Sequence, residues 1–202
     1  MRIIAGKYRG RNLKGPPSLD VRPTSDRLRE TLFNVISPRI QGARFLDLCA
    51  GSGAGGIEAL SRGAVHATFV DQSRKMCALV EANLGLCGIP EAEADVILSE
   101  AGAFIRRARA TSEGAWDLIF FDPPYGSDYM GVLELIGSMD KEMLADEGLL
   151  IVEHHHKNRL PDDVGNLVRY RLLKQGDSSL SFFQRRTSTD YTDYADSTNT
   201  FK

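Results

Sequence analysis

The sequence predicts an α/β protein: a parallel sheet with helices on both faces, finished by an antiparallel pair and preceded by a small hairpin-and-helix extension. Three observations predict it. From residue 44 onward, short apolar segments alternate with segments of helical period, which is the pattern of successive βαβ units. Two later strand-like segments, 166–174 and 180–186, are separated only by Gln175-Gly176-Asp177. A parallel crossover needs a dozen or more residues, so these two must be antiparallel. The first 40 residues break the alternation, with Gly6, Gly10 and the breaker Gly15-Pro16-Pro17-Ser18 set among basic residues.

Residues 1–15 read as a short hairpin, extended over 1–5 and again near 11–13, with glycines between. After Pro23, Thr24 or Ser25 can cap a helix with Asp26 in its first turn. Leu28, Leu32, Val35 and Ile36 form one buried stripe, Arg27 and Arg29 point elsewhere, and Ser37-Pro38 ends the helix. The alternating part begins with a strand at 44–48, a glycine-rich turn and a helix at about 56–61. A strand at 67–71 and a helix at 73–86 follow, with Met76, Leu79, Val80 and Leu84 inward. A third strand is expected at 95–98 with a helix at 101–110. The fourth strand, 117–121, is nearly all apolar, as suits a strand covered on both faces. A helix around 129–144 and a fifth strand at 148–152 precede the antiparallel pair, making seven strands in all. Residues 187–202 are almost entirely Thr, Ser, Asp, Asn and Tyr, too polar to bury, and are expected to form a disordered tail. The expected division is therefore a basic extension at 1–40, a principal domain at 41–186 and the tail.

Composition narrows the function classes. The 202 residues carry 25 Lys and Arg against 27 Asp and Glu, with 42% hydrophobic and 26% charged residues, the proportions of a globular protein. No apolar run approaches the roughly 20 residues of a membrane span, and Arg2 with no apolar stretch behind it argues against a secretory signal. Cys49, Cys77 and Cys87 are odd in number and form no Cys-x-x-Cys pair, so reduced thiols in a cytoplasm are expected. The near-neutral total hides an asymmetry. Residues 1–44 hold ten Lys and Arg against three acids, a net of +7, and the rest of the chain is −9. A basic leader on an acidic body suits a polyanion, or else is a solvated charged face.

Two motifs carry chemistry. In the first, Asp47-Leu48-Cys49-Ala50-Gly51-Ser52-Gly53-Ala54-Gly55-Gly56 sits where the first parallel strand meets its helix. Gly51, Gly53 and Gly56 fit G-x-G-x-x-G, and Asp71 closes the next strand, placed to hold ribose hydroxyls. A tight strand–helix turn without ligand would use the same glycines. Asp47, before the loop, suits a cationic ligand better than a pyrophosphate. The spacing Asp-x-x-x-Gly-x-Gly resembles motif I of class I methyltransferases, whose S-adenosylmethionine carries a sulfonium and an ammonium; NAD is the alternative. Cys49 fits as a small residue of the loop, since amine methylation needs no covalent intermediate.

The second motif, Asp122-Pro123-Pro124-Tyr125, follows the fourth strand and matches the (Asn/Asp)-Pro-Pro-(Tyr/Phe) motif of methyltransferases acting on planar nitrogens. An amine conjugated to a ring is a poor nucleophile because its lone pair is delocalised. Asp122 Oδ and the Pro123 carbonyl can accept its two N–H groups and favour a pyramidal nitrogen. Proline supplies no N–H, so the turn is stiff and presents acceptors. Tyr125 offers a face on which an extruded base can stack. The bland counterpart is a Pro-Pro turn with Tyr125 packing. Glu100, after the third strand, either approaches an adenine, where Asp is the more usual residue, or serves the next helix's dipole. His154-His155-His156 is expected not to bind metal, since consecutive strand residues point apart while ligands converge.

The leader residues Arg2-Ile3-Ile4-Ala5-Gly6-Lys7-Tyr8-Arg9-Gly10-Arg11 and Arg22-Pro23-Thr24-Ser25-Asp26-Arg27-Leu28-Arg29-Glu30 closely resemble the start of the bacterial RsmD family. So do Gly51-Ser52-Gly53, Ile57-Glu58-Ala59-Leu60-Ser61-Arg62-Gly63, Asp122-Pro123-Pro124-Tyr125 and Gly176-Asp177-Ser178-Ser179-Leu180-Ser181-Phe182, so the resemblance covers about 1–186. Gly55 departs from it, standing where a larger apolar residue is usual, and the 187–202 tail has no counterpart. The resemblance implies a class I S-adenosylmethionine-dependent methyltransferase fold, Rossmann-like, with a seven-stranded mixed sheet and an antiparallel last strand. It implies methyl transfer to the N2 amine of a guanine in 16S ribosomal RNA, free or in a partly assembled small subunit. Cofactor contacts would come from Asp47, Gly51, Ser52, Gly53, Asp71, Glu100 and Ala101. Asp122, Pro123, Pro124 and Tyr125 would carry catalysis, and Lys7, Arg9, Arg11, Arg22 and Thr24 would contact RNA. A monomer without metal is expected. The competing readings are a DNA adenine-N6 or cytosine-N4 methyltransferase, for which the chain has no room for a separate reading domain, and a non-catalytic RNA-binding protein. A protein-glutamine methyltransferase typically has Asn first in the second motif and no Arg-rich leader.

Overall fold

A computed structural model describes residues 1–16, 26–111, 115–124, 127–138 and 143–186. Its centre is one mixed sheet. Strands β1 (Arg44–Leu48), β2 (His66–Asp71), β3 (Ala94–Leu98), β4 (Trp116–Phe121) and β5 (Leu144–His155) run parallel. Beside β5 lie β8 (Ser178–Arg185), β7 (Leu167–Gln175) and β6 (Asp163–Val164), each antiparallel to its neighbour. The spatial order is β3-β2-β1-β4-β5-β8-β7-β6. Among the described residues the sheet has eight strands rather than the expected seven. The extra one, β6, has two residues, too few to leave a period in the sequence.

Side chains alternate between two apolar layers, as the pleat requires. Phe45, Phe69, Phe120 and Ile151 face a layer built with α1 (Asp26–Ile40), α2 (Ala54–Ser61) and α3 (Arg74–Cys87). Leu46, Val70, Phe121 and Val152 face the opposite layer, covered by α4 (Ala101–Thr111) and α5 (Tyr129–Gly137). The strand order reverses at β1, which has β2 on one side and β4 on the other. That is the switch point where open α/β sheets form a crevice at the carboxyl ends of their strands.

The leader belongs to the first layer: Ile3, Tyr8 and Leu13 are buried in it beside Leu28, Leu32, Phe33 and Ile36 of α1. The expected N-terminal hairpin shrinks to a single bridge between Arg2 and Asn12, flanked by Ile3 N–H to Arg11 O at 3.0 Å and Gly10 N–H to Ile3 O at 2.9 Å. The ladder stays short because α2 takes four of the leader amides. Ile4 and Ala5 donate to Glu58 at 2.8 and 3.0 Å, Lys7 to Ser61 O at 2.7 Å and Tyr8 to Ser61 Oγ at 2.9 Å.

Three helix expectations need correction. Arg29 does not point outward but is 2% exposed, on a second stripe with Phe33, Ile36 and Ile40. Its guanidinium donates to Arg2 O at 2.6 Å and pairs with Asp26 at 3.0 Å. Helix α1 runs past Pro38 to Ile40, because burying Ile40 outweighs the one backbone bond a proline removes near a helix end. Helix α5 stops at Gly137, and β5 already begins at Leu144. At Gly137 the backbone meets the β6 end: its carbonyl accepts from Asn166 N at 2.8 Å, and a Cβ there would lie 2.2 Å from Val164 O. On α3 the fully buried positions are Cys77, Val80, Asn83 and Cys87, while Met76, Leu79 and Leu84 are half-buried.

Candidate active site

The carboxyl ends of β1, β2, β4 and β5 open into a cleft of about 1070 Å³, large enough to hold a nucleoside-sized ligand and a second planar group. Its walls include Asp47, Gly51, Ser52, Asp71, Glu100, Ala101, Asp122, Pro123 and Pro124. Both sequence motifs therefore meet in one cavity, although 75 residues separate Asp47 from Asp122. Of the other expected cofactor residues, Gly53 lies just beneath the loop, packed against Val80 and Phe69. Tyr125, Arg22, Thr24 and the 187–202 tail lie outside the described residues.

The cofactor side is built by acids that accept backbone amides. Asp71 takes Gly51 N–H on Oδ2 at 2.9 Å and Ser73 N–H on Oδ1 at 2.8 Å. Its carboxylate is thus fixed at the end of β2, with lone pairs remaining for hydroxyl donors. Glu100 takes Gly102 and Ala103 N–H, both at 2.8 Å, so it caps α4 while bordering the cleft, and both sequence readings of it are geometrically compatible. Asp47 is 2% exposed and takes Gly56 N–H at 2.8 Å. Burial pushes its carboxyl up to about 8, against the Gly56 N–H, and the Asp122 and Asp71 charges add to the rise. A cation arriving beside it would offset that penalty.

The loop needs its glycines for two reasons. Gly51 and Gly53 have φ of 56° and 77°, a region that disfavours side chains. Gly56 lets α2 lie on β2: a Cβ there would be 2.3 Å from the Phe69 ring. At Gly55 a Cβ would lie 2.9 Å from Asp47 Oδ2, so the small residue leaves room for the buried carboxylate. Cys49 has φ 66°, and its thiol is pushed up to about 12 by burial and the surrounding acids. It is no nucleophile at neutral pH.

On the other side, Asp122 directly follows β4, and Glu153 lies two residues before the end of the adjacent β5. Phe121 pairs with Val152, so the two acids stand side by side, one step beyond. Glu153 is 7% exposed and lines the cleft. Motif reasoning missed it, along with Arg29, Glu58 and Asn83. Glu58 is wholly buried and accepts from Ile4, Ala5 and Arg62. Asn83, also wholly buried, joins Lys14 to the Ser52 carbonyl of the glycine loop. A charge in the apolar run around Glu58 was the one available signal.

The exposed bases of the leader divide. Arg9 borders a hollow of about 370 Å³ with Arg2 and Arg27 near the start of α1, and Arg27 also reaches the cleft wall. Lys7 and Arg11 flank the Tyr8 ring at 5.1 and 5.8 Å. Arg11 donates to Leu86 O at 2.8 Å, near the far end of the 14-residue α3, about 21 Å from the helix's cleft end. The histidine run also differs from expectation. Ligand atoms of His155, His156 and Asp177 lie within 4.8 Å of one another, because β5 ends at His155 and the chain then turns. His154 instead points inward, 2.9 Å from Ser181 Oγ.

The family described as conserved hypothetical protein 95 matches residues 1–184. Ribosomal RNA small subunit methyltransferase D of Escherichia coli (strain K12) is 38% identical over 187 residues, which is 92% of this chain and 90% of that one. The solved structure of yhhF from Escherichia coli superposes with a TM-score of 0.79 at 35% identity, covering 93% of this chain and 99% of that one. The fold alone is shared with the SAM-dependent methyltransferase from Agrobacterium tumefaciens, at a TM-score of 0.60 and 20% identity over 84% of this chain and 64% of that one.

Proposed function

The chain belongs to the conserved hypothetical protein 95 family, the RsmD family of its motifs, with a class I methyltransferase fold, and from that premise we propose that it is an S-adenosylmethionine-dependent rRNA methyltransferase acting on the N2 amine of a guanine in the small-subunit RNA. One observation carries the reading: the amide-pinned acids of β1 and β2 and the Asp122-Pro123 end of β4 line a single cleft. A second motif without the first would be a turn, and the first without the second a nucleotide site of any kind.

The residues fit the cofactor by the chemistry of their donors. Asp71 is held open to ribose hydroxyls, Glu100 and Ala101 border the adenine side, and Asp47 lies behind Gly51, Ser52 and Gly53, where positive charge is favoured. When bound, the cofactor supplies an electrophilic methyl on a sulfonium. The chain's own part is positioning. Asp122 Oδ and the Pro123 carbonyl accept the two N–H groups of the target amine, which turns its lone pair toward the methyl. As the N–C bond formed, the methyl–sulfur bond would break and its electron pair would leave on a neutral thioether; the nitrogen would become cationic, and the Asp122 carboxylate would stabilise it until its proton left to water. Tyr125 stacks on the extruded base. Lys7, Arg9, Arg11, Arg22 and Thr24 of the 1–40 extension contact RNA phosphates, and the 41–186 domain performs the transfer. The substrate is 16S rRNA, free or in a partly assembled subunit.

Purified protein, methyl-labelled S-adenosylmethionine and small-subunit RNA from a strain lacking the gene test this directly. Nucleoside digestion should yield labelled N2-methylguanosine. Label in N6-methyladenosine or N4-methylcytidine, or none in RNA, would overturn the reading.

A further inference from the structure

We infer that Glu153 is the residue that selects guanine, by accepting the N1–H of the target base while Asp122 holds the neighbouring N2 amine. The inference rests on the guanine reading above and adds the residue that enforces it.

The sheet register places it. Phe121 and Val152 are paired across β4 and β5, so Asp122, directly after β4, and Glu153, two residues before the end of β5, follow as neighbours, on strands that lie about 4.8 Å apart. Both share the parity of Phe120 and Ile151, which face the layer of α1 to α3, and both line the cleft. The preceding residues of that parity on β5, Leu149 and Ile151, are apolar, so packing alone does not call for a carboxylate. Glu153 is 7% exposed, and Ser178 Oγ, at the start of β8, lies 3.2 Å from its Oε1. That contact steadies the side chain, and a carboxylate can accept several hydrogen bonds at once.

Guanine presents two adjacent kinds of donor on its Watson–Crick edge, the ring N1–H and the exocyclic N2–H. Two carboxylates on adjacent strands match that pair. Adenine with its N6 amine at Asp122, or cytosine with its N4 amine there, would instead turn a ring nitrogen lone pair toward Glu153. A buried carboxylate facing a lone pair is repelled and loses a hydrogen bond, so both bases are rejected. The same acid that accepts guanine thereby excludes the other exocyclic amines to which an Asp-Pro-Pro-Tyr turn is suited.

The test separates N1 from N2. Small-subunit RNA is ligated with either guanine or 2-aminopurine at the position the wild type methylates. 2-Aminopurine keeps the amine but has a lone pair at N1. The wild type should lose roughly 10²-fold or more in kcat/KM on 2-aminopurine, as sites built for a specific hydrogen bond do. In Glu153→Gln, whose amide can donate to that lone pair, the two substrates should come within about tenfold or invert. Glu153→Asp should slow both substrates and keep the preference. A wild type indifferent to 2-aminopurine, or a Gln variant with unchanged preference, overturns the inference. A wild type that puts no methyl on any guanine N2 overturns the parent reading instead.

Discussion

The two halves of the cleft are built by different means. On the β1–β3 side each acid is held by backbone amides: Asp47 by Gly56, Asp71 by Gly51 and Ser73, Glu100 by Gly102 and Ala103. On the β4–β5 side the chain follows Asp122 with two prolines, which bring no N–H, and sets Glu153 against Ser178 of a strand 25 residues further on. The first half is organised by backbone amides of the loops at the strand ends, the second by strand register. Pinned acids suit a ligand bound the same way in every turnover, whereas acids placed by strand register stand where two strands meet at the cleft wall.

The comparison can be broken most severely at Asp122. Replacing it by Ala should cut single-turnover rates by roughly 10²- to 10³-fold, the scale of losing one preorganised hydrogen-bonding group, while cofactor affinity in calorimetry stays within about threefold. Asp122→Asn should keep more activity, because its oxygen still accepts an N–H. Equal losses in Asn and Ala would make Asp122 a base rather than an acceptor.

The reverse pattern is expected at Asp71. Asp71→Ala removes the acceptor of two amides and of the ribose hydroxyls, so cofactor binding should weaken by about 2 kcal/mol, roughly 30-fold. The rate at saturating cofactor should fall far less. A rate defect as large as that of Asp122→Ala would mean that the halves do not divide the work.

Gly56→Ala tests how local the first half is. The added Cβ would meet the Phe69 ring at 2.3 Å, and overpacking of this kind costs about 1–3 kcal/mol. Chemical denaturation should show that loss, and a cofactor titration should show a weaker site, since Gly56 also donates to Asp47.

The last effect is read in protons rather than in rates. Asp47 titrates at about 8 in the folded protein and near 4 when unfolded. Between those values the folded state holds the extra proton, so stability falls as pH rises from 4 to 8 and levels off above. A cationic ligand lowers the folded value, so binding near neutrality should release protons, and affinity should rise with pH by no more than tenfold per unit. Calorimetry in buffers of different ionisation enthalpy should detect the release in the wild type and none in Asp47→Asn.

This division also explains what could be read from the sequence. The glycine loop, Asp71 and the Asp-Pro-Pro turn are contiguous or fall at fixed spacing after a strand, so their chemistry is written in local order. The strand–helix alternation and the closing antiparallel pair were legible for the same reason. Glu153 was not, because it matters only once β5 is set beside β4. The leucine stripe alone turns Arg29 outward, whereas Phe33, four residues on, marks the second stripe that carries Arg29 inward. At the histidine run only the side-chain directions differ from the sequence pattern: alternation holds within a strand and lapses where β5 ends at His155. Two-residue β6 and the single leader bridge are too short to leave a period.

Asn83 gives the molecule a property that belongs to neither half. One amide side chain holds Lys14 of the leader by both its backbone groups and, on the same nitrogen, the Ser52 carbonyl of the glycine loop. A contact made by the leader and a contact made in the cofactor loop therefore act on a common fixed point. In thermodynamic terms the two form a closed cycle: any factor by which RNA on the leader tightens cofactor binding must equal the factor by which cofactor tightens RNA binding. Replacing Asn83 by Ala should bring both factors toward one together, and paired titrations in which only one of them changed would show that the cycle runs through other contacts.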